Sequence, residues 1–504
     1  MVRGQGHVLS QAAIYLVARG VPGMIAFLAI PVFSRLLDAA DYGRYALVIA
    51  SVDLLNALLF QWLRLSLVRF LPAHEDPERL QSTLATAAAL IVLLLGVTAG
   101  ALCFVPAAQS WRPLLVTCAL VLPFQAAFEL CCEYSRAVIR PWQYMGLQVT
   151  RSTVAVVAGV LLVHVGAGWW GPPAGTALGM GLGIIYAYRR DWGRVRFTLD
   201  RRILIKVCQY GLPLSATVAL ANVVFSSDRF LIAGMLGAGA AGHYCASVDL
   251  ISQTLTMLMM VINLAMFPLA VRAWEQQGRG AAQAQMKSNA SLLLAVGVPC
   301  VVGLSVLAPG VAECFLGKSF RATAVSIIPL VSLGAFLAGL KAYHFDAAFQ
   351  FAHRTIYQVW IVLFIAVVNV VLNLIAIPRF GIVGAAVASV IAYAVSIVLT
   401  AALGRKYLIL PFPVRDCARV LLASVVMSLL LMPLRGYHSP LALAGQITAG
   451  GALYGMVLIA SNFLGLGTRI LCRWKALTSA GQARLDSAGD AGRLVGSTVE
   501  GVVP

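Results

Sequence analysis

Apolar runs of eighteen residues or more recur from one end of this 504-residue chain to the other, and few folds accept them. Each run can cross the roughly 30 Å hydrocarbon core of a bilayer as a helix. In lipid every backbone N–H and C=O must be satisfied inside the protein, which leaves helices or closed barrels, and these runs are of helical length. The sequence is 60% hydrophobic and only 11% Asp, Glu, Lys or Arg. A soluble domain carries about 25% charged residues and could not cover its surface with so few. The expected fold is therefore an all-α polytopic membrane protein.

Hydropathy places fourteen spans. The first six run over 12–33, 43–63, 84–105, 113–135, 148–168 and 170–188. The next six cover 209–233, 244–270, 289–311, 323–345, 357–378 and 381–403, and a weaker final pair covers 417–433 and 441–464. The Arg3 region runs straight into the first span without a cleavage signal, so that span is expected to stay in the mature protein. With the amino terminus in the cytoplasm, 27 of the 37 basic residues fall on the inner side, Arg151 among them, and seven on the outer side. Such asymmetry is the positive-inside signature, and it favours an even span number with both termini cytoplasmic. The +18 net charge thus serves topology, and no basic domain gathers it for nucleic acid. The ten cysteines show no metal-ligand spacing, so no metal and no cofactor is expected.

The expected organisation is an amino-terminal lobe over 1–190, a basic cytoplasmic linker over 191–208, a second lobe over 209–405, a helix pair over 406–465 and a polar cytoplasmic tail over 466–504 expected to be partly disordered. The two lobes look duplicated. YLVARGVPGMIAFLAIPVFSR pairs with CQYGLPLSATVALANVVFSSDR, and each leads to a Gly-x-Tyr, at Gly43–Tyr45 and Gly242–Tyr244. Ser-Val-Asp-Leu recurs at 51–54 and 247–250 with a register slip of three residues, and Gly171 pairs with Gly381. Two similar six-span bundles suggest paired lobes about a central cavity, the form of a transporter that rocks between two faces.

Charges inside hydrocarbon are costly and usually face a bundle interior or a wet cavity. Arg19, with Pro22 and Gly23 close behind, offers a planar fork suited to phosphate oxygens. A structural ion pair or snorkelling toward the headgroups would also account for it. Lys341 carries the same alternatives. Asp228 and Arg229 either mark the outer mouth or pair with each other and cap their helix. Asp53 and Asp249 hold parallel places in the repeats and could carry a coupling proton or an ion pair. Glu129 and Glu133 share one helix face at i,i+4, as an ion- or proton-binding pair or as interfacial partners of Arg136. His344 and His353 read as interface histidines. No catalytic signature is present: there is no HExxH, and Gly317-Lys318-Ser319 lacks the upstream glycine of a P-loop. No enzyme activity is expected.

The stretch PVFSRLLDAADYGRYALVIA at the end of the first span, with Arg35 to Leu37, the acidic turn Asp38 to Asp41 and Tyr42 to Tyr45, resembles the start of the polysaccharide flippases. These are the O-antigen and exopolysaccharide branch of the multidrug/oligosaccharidyl-lipid/polysaccharide exporter superfamily. RFGIVGAAVASVIAY, Arg379 to Tyr393, is similar to that family's opening of span twelve. The resemblance covers spans one to twelve, and the last pair fits by number. It implies a multi-pass protein of the bacterial inner membrane that moves an undecaprenyl-diphosphate-linked oligosaccharide from the cytoplasmic to the periplasmic leaflet. It also implies a cationic, hydrated cavity. By its place on the first span Arg19 looks similar to the family's cavity cations; Lys341 and Arg229 are further candidates for substrate contact. Membrane lipids and a polysaccharide polymerase complex are the remaining partners it suggests. A lipid II flippase and a drug or cation antiporter of the same superfamily are the alternatives.

Overall fold

A computed structural model describes residues 2–74, 76–193, 195–465 and 468; within these, nothing is said of the side chains of 2–16, 19, 107, 108, 110, 217, 221, 224 and 225. The described residues are mainly helical and include no strand. Seventeen α-helices follow one another in chain order. The first half holds α1 (Val2–Leu36), α2 (Ala39–Leu59), α3 (Gln61–Phe70), α4 (Pro77–Cys103), α5 (Arg112–Ala137), α6 (Pro141–Leu162) and α7 (Gly171–Ala187). The middle holds α8 (Arg201–Leu236), α9 (Ala238–Ile251), α10 (Met257–Gln277), α11 (Arg279–Val306), α12 (Ala308–Phe315) and α13 (Lys318–Leu340). Then come α14 (Ala347–Phe351), α15 (Ile356–Gly404), α16 (Val414–Leu434) and α17 (Pro440–Ala460).

Eleven helical stretches among the described residues are long and apolar enough to cross a membrane. Two of them are hairpins. The stretch 356–404 folds back at Gly381, whose φ of 60° and ψ of −141° break the helix. The stretch 141–192 folds back across Gly166 and Gly168, with φ of 95° and 52°. Only glycine visits these regions without steric cost. Counting each hairpin twice and adding the shorter apolar stretch Gly20–Leu36 of α1 brings the described crossings to about fourteen, and the final pair is helical as the hydropathy predicts. It docks on α11: the Tyr454 hydroxyl donates to the Ala295 carbonyl at 2.7 Å, and Ser291 Oγ donates to Asp416 at 2.7 Å.

Helix starts follow local chemistry. Asp38 accepts from the Asp41 amide, Asp76 from Arg79 and Asp200 from Arg202, at 2.7, 3.0 and 2.8 Å. Each satisfies an amide that would otherwise lack a partner in the first turn. The Asp200 cap shortens the expected basic linker. After a π-helical turn over Tyr188–Trp192, α8 starts at Arg201, eight residues before the expected span.

One apolar core joins α2 to α7 through Phe60, Leu63, Leu80 and Phe128. A second joins α1 and α9 to α11, α13, α16 and α17 through Phe33, Leu294, Phe320 and Leu443. The repeats meet at the start of α2 and α9. A Cβ on Gly43 would stand 1.9 Å from the Ala238 carbonyl oxygen, and one on Gly242 would stand 1.9 Å from that of Ala39. The contact is reciprocal about a local two-fold, with equivalent residues 199 apart. In this register Asp249 matches Ala50, so Asp53 and Asp249 lie nearly one helical turn from equivalence. The second pairing also slips by three. Gly168, with φ 52° and ψ −133°, has the conformation of Gly381, so Gly171 corresponds to Gly384 rather than to Gly381.

Candidate functional site

A cavity of about 550 Å³ lies where the two halves meet, walled by α1, α2, α6, α7, α8 and α9. Among the described residues, its charged lining consists of Asp53, Arg151, Arg229 and Asp249, two of each sign. Gln148, Ser152, Thr176, Asn222 and Gln253 add neutral polar groups. The mixture suits a hydrated polar ligand better than an apolar one.

The four charges are held differently. Arg229 on α8 is ion-paired with Asp249 on α9 at 2.8 Å, and the Tyr42 hydroxyl donates to the other Asp249 oxygen at 3.2 Å. Asp53 on α2 accepts from Gln125 Nε2 of α5 at 2.7 Å. That amide also lies 3.3 Å from Glu129. Glu129 accepts from Asn56 at 2.9 Å and is ion-paired with Arg64. A polar chain therefore runs from the cavity wall through α5 toward α3. Arg151 lays its guanidinium over the Phe128 ring, 5.6 Å from the centroid, and has no ion pair among the described residues.

Of the other expected residues, Arg19 lies on α1, and its side chain falls outside the described residues. Lys341 does not line the cavity. It pairs with Asp346 at 2.9 Å across a π-helical turn over Lys341–Phe345. Glu133 pairs with Arg136 at 2.8 Å, so the two glutamates that share a helix face serve different partners. Asp228 and Arg229 do not pair with each other. Asp228 is buried and accepts from Tyr244, Asn373 and Ser389 at 2.9, 2.7 and 2.5 Å. All three donors are neutral, so this carboxyl can hold a proton, or its oxygens can face a small cation. No group of three His, Cys, Asp or Glu side chains among the described residues is placed to hold a metal. His344 is fully buried against Phe345 and Phe412 rather than at an interface.

Arg151 is the site residue whose depth was missed: the expected span 148–168 puts it near a span end, and the charge count assigns it to the inner side. The helix starts at Pro141, which carries Arg151 ten residues along α6, about 15 Å at 1.5 Å per residue. The signal was available, since proline is favoured in the first turn of a helix.

One end of the cavity is closed. Besides the Gly43–Gly242 crossing, Arg35 donates to the Cys314 carbonyl at 2.6 Å. The Gly317 amide donates to Ser34 Oγ at 3.1 Å, and the Tyr42 and Phe320 rings pack at 5.5 Å.

Helical hairpins in two related halves around a shared polar cavity define a two-lobed membrane transporter fold, and solved structures share it. A structure titled lipid II flippase MurJ in an inward closed conformation superposes with a TM-score of 0.75, at 12% identity, covering 89% of this chain and 99% of that one. An inward-facing multidrug resistance MATE transporter of the MOP superfamily superposes with a TM-score of 0.58, at 16% identity, covering 78% and 97%. At such identities the likeness is one of fold. The family model described as polysaccharide biosynthesis protein matches residues 8–274, more than half of the chain, and the chain belongs to that family. The lipid II flippase MurJ model matches residues 181–447. The succinoglycan biosynthesis transport protein ExoT of Rhizobium meliloti (strain 1021) is 25% identical over 297 residues, which is 56% of this chain and 57% of that protein. The match thus spans little more than half the length of this curated relative.

Proposed function

We propose that this chain is a flippase that carries an undecaprenyl-diphosphate-linked oligosaccharide from the cytoplasmic to the periplasmic leaflet for polysaccharide assembly. The observation that carries this reading is the shared cavity, with both signs of charge on its walls, in a member of the polysaccharide biosynthesis family. Sugars need many hydrogen-bonding partners, which Gln148, Ser152, Asn222 and Gln253 supply. A diphosphate needs a cation. A polyprenyl tail needs no pocket, since it can stay in the bilayer.

Both termini are assigned to the cytoplasm, in the bacterial inner membrane. Counting Arg151 within the span rather than on the inner side leaves 26 basic residues inside against seven outside, which keeps the positive-inside bias. The glycine-crossed end then faces the periplasm, and alternating access requires that crossing to open and close in each cycle. A second reading, transport of lipid II, draws support from the match over residues 181–447 and from the fold likeness.

Cells with and without the protein separate these readings. The flippase reading expects the lipid-linked oligosaccharide to accumulate on the cytoplasmic face when the protein is absent. Accumulation of the peptidoglycan precursor instead would select the second reading, and an unchanged distribution of both would overturn the proposal.

A further inference from the structure

Among the described residues, three observations single out one cation. Asp249 and Tyr42 already engage Arg229 and its surroundings. Lys341 is held by Asp346 away from the cavity. Arg151 lines the cavity, lies deep in the membrane span and has no carboxylate partner among the described residues. A guanidinium in that position is costly unless an anion or water meets it. Its edge presents N–H donors in a fixed fork that matches phosphoryl oxygens two at a time.

The surroundings hold this group in place. The Phe128 ring lies under the guanidinium, an orienting contact that leaves the donor edge free. That ring in turn fills the space of an absent side chain, since a Cβ on Gly183 would stand 2.7 Å from it. One turn away, a Cβ on Gly179 would stand 2.5 Å from the carbonyl oxygen of Arg151 itself, so α7 packs directly on the backbone that carries the arginine. Gln148 and Ser152 on α6 and Thr176 on α7 line the same cavity and can supply further hydrogen bonds to an oxyanion. Asp53 faces the cavity too, tied to Gln125. It is the charge that a bound anion would meet least favourably.

We infer that Arg151, seated on Phe128 between α5, α6 and α7, is the cavity's binding group for the phosphoryl oxygens of an anionic substrate. The inference rests on the proposed function and names the residue at which its diphosphate is held. Arg229 then keeps a positioning role through Asp249, and Asp53 sets how strongly the anion is held: neutralising its carboxyl removes a repulsion and strengthens binding.

The test uses the full chain in nanodiscs of neutral lipid, with farnesyl diphosphate as probe and farnesol and inorganic pyrophosphate as comparisons. The wild type should bind farnesyl diphosphate more tightly than farnesol. Arg151→Gln should weaken that binding at least tenfold and leave farnesol binding unchanged. Arg151→Lys should recover only part of the loss, because an ammonium lacks the fork. Asp53→Asn should tighten binding severalfold, and the exposed loop variant Arg435→Gln should change nothing. Thermal unfolding of each variant identifies misfolded protein, and the Lys and Asn variants keep the test open if the Gln variant does not fold. Equal weakening for pyrophosphate and farnesyl diphosphate assigns the site to phosphate in general; weakening of the lipid alone assigns it to the lipid headgroup. Either supports the inference. If the wild type binds and Arg151→Gln binds equally well, the inference fails while the flippase reading survives. If the wild type does not prefer the diphosphate over the alcohol, both fall.

Discussion

Replacing Gly43 by alanine should open the end of the cavity where α2 crosses α9. The added methyl would stand 1.9 Å from the Ala238 carbonyl oxygen and 2.9 Å from the Gly242 amide nitrogen. Carbon does not approach a backbone oxygen within 3.0 Å, and no side-chain rotation relieves a clash with backbone. The helices must therefore separate by at least about 1 Å at this crossing. Overpacking of this kind costs about 1–3 kcal/mol. Only the closed arrangement bears that cost, so the population of arrangements with the two helices apart should rise about 5- to 150-fold. The reciprocal geometry adds a sharper expectation: Gly242→Ala should act to the same extent. A single cysteine replacing Ala46, which lines the cavity and is buried, reports the opening in a background without native cysteines. An impermeant thiol reagent added outside cells should label it faster in both glycine variants. Unchanged labelling in both, or a response to only one of them, would contradict a cavity end closed by the reciprocal Gly43–Gly242 crossing.

Other expectations concern the buried polar groups. Asp228→Asn exchanges an acceptor for an amide group facing the donors of Tyr244, Asn373 and Ser389; one unsatisfied buried group should lower stability by about 1–3 kcal/mol, measured as unfolding in detergent. Arg229→Ala should destabilise more than the double variant Arg229→Ala/Asp249→Asn, because the single change leaves a carboxylate in the wall without its cation; a cycle with no coupling would deny the pair its role. At the start of α8, the amides of Ile203 and Arg202 hold the Asp200 carboxyl below its usual range. A depressed carboxyl stabilises the folded state above its unfolded pKa and loses that contribution as pH falls through the folded value. Amide exchange at Arg202 and Ile203 should therefore quicken on acidification, and Asp200→Ala should abolish that response.

Much of this fold was legible because the bilayer enforces it. Long apolar runs can only be helices, and the acidic caps at Asp38 and Asp76 and the prolines at 77 and 440 mark helix starts by local chemistry. The duplication was visible too: the Gly43–Gly242 pairing holds, while the Asp53–Asp249 and Gly171–Gly381 pairings slip by three residues. Near-repeats of small and β-branched residues look alike in neighbouring registers, and only backbone conformation, as at Gly168 and Gly381, fixes the match. The site was less legible. Hydropathy weighs Arg151 as a span end, whereas a helix that starts at Pro141 carries it inward. Adjacent Asp228 and Arg229 point to different helix faces, so spacing alone argued against their pairing. What spacing could not give is the partner 20 residues away, Asp249, on the next helix. Lys341 meets Asp346 through a π turn, a spacing of five that the usual i,i+4 pattern does not anticipate.

Transport of a lipid-linked sugar is tested most directly by reconstitution. The purified chain is placed in liposomes with a fluorescent polyprenyl-diphosphate-linked oligosaccharide, and the fraction reachable by an impermeant quencher is followed over time. The account predicts that the protected fraction becomes reachable in liposomes with the wild type, and more slowly with Arg151→Gln. Exposure no faster than in protein-free liposomes would contradict it.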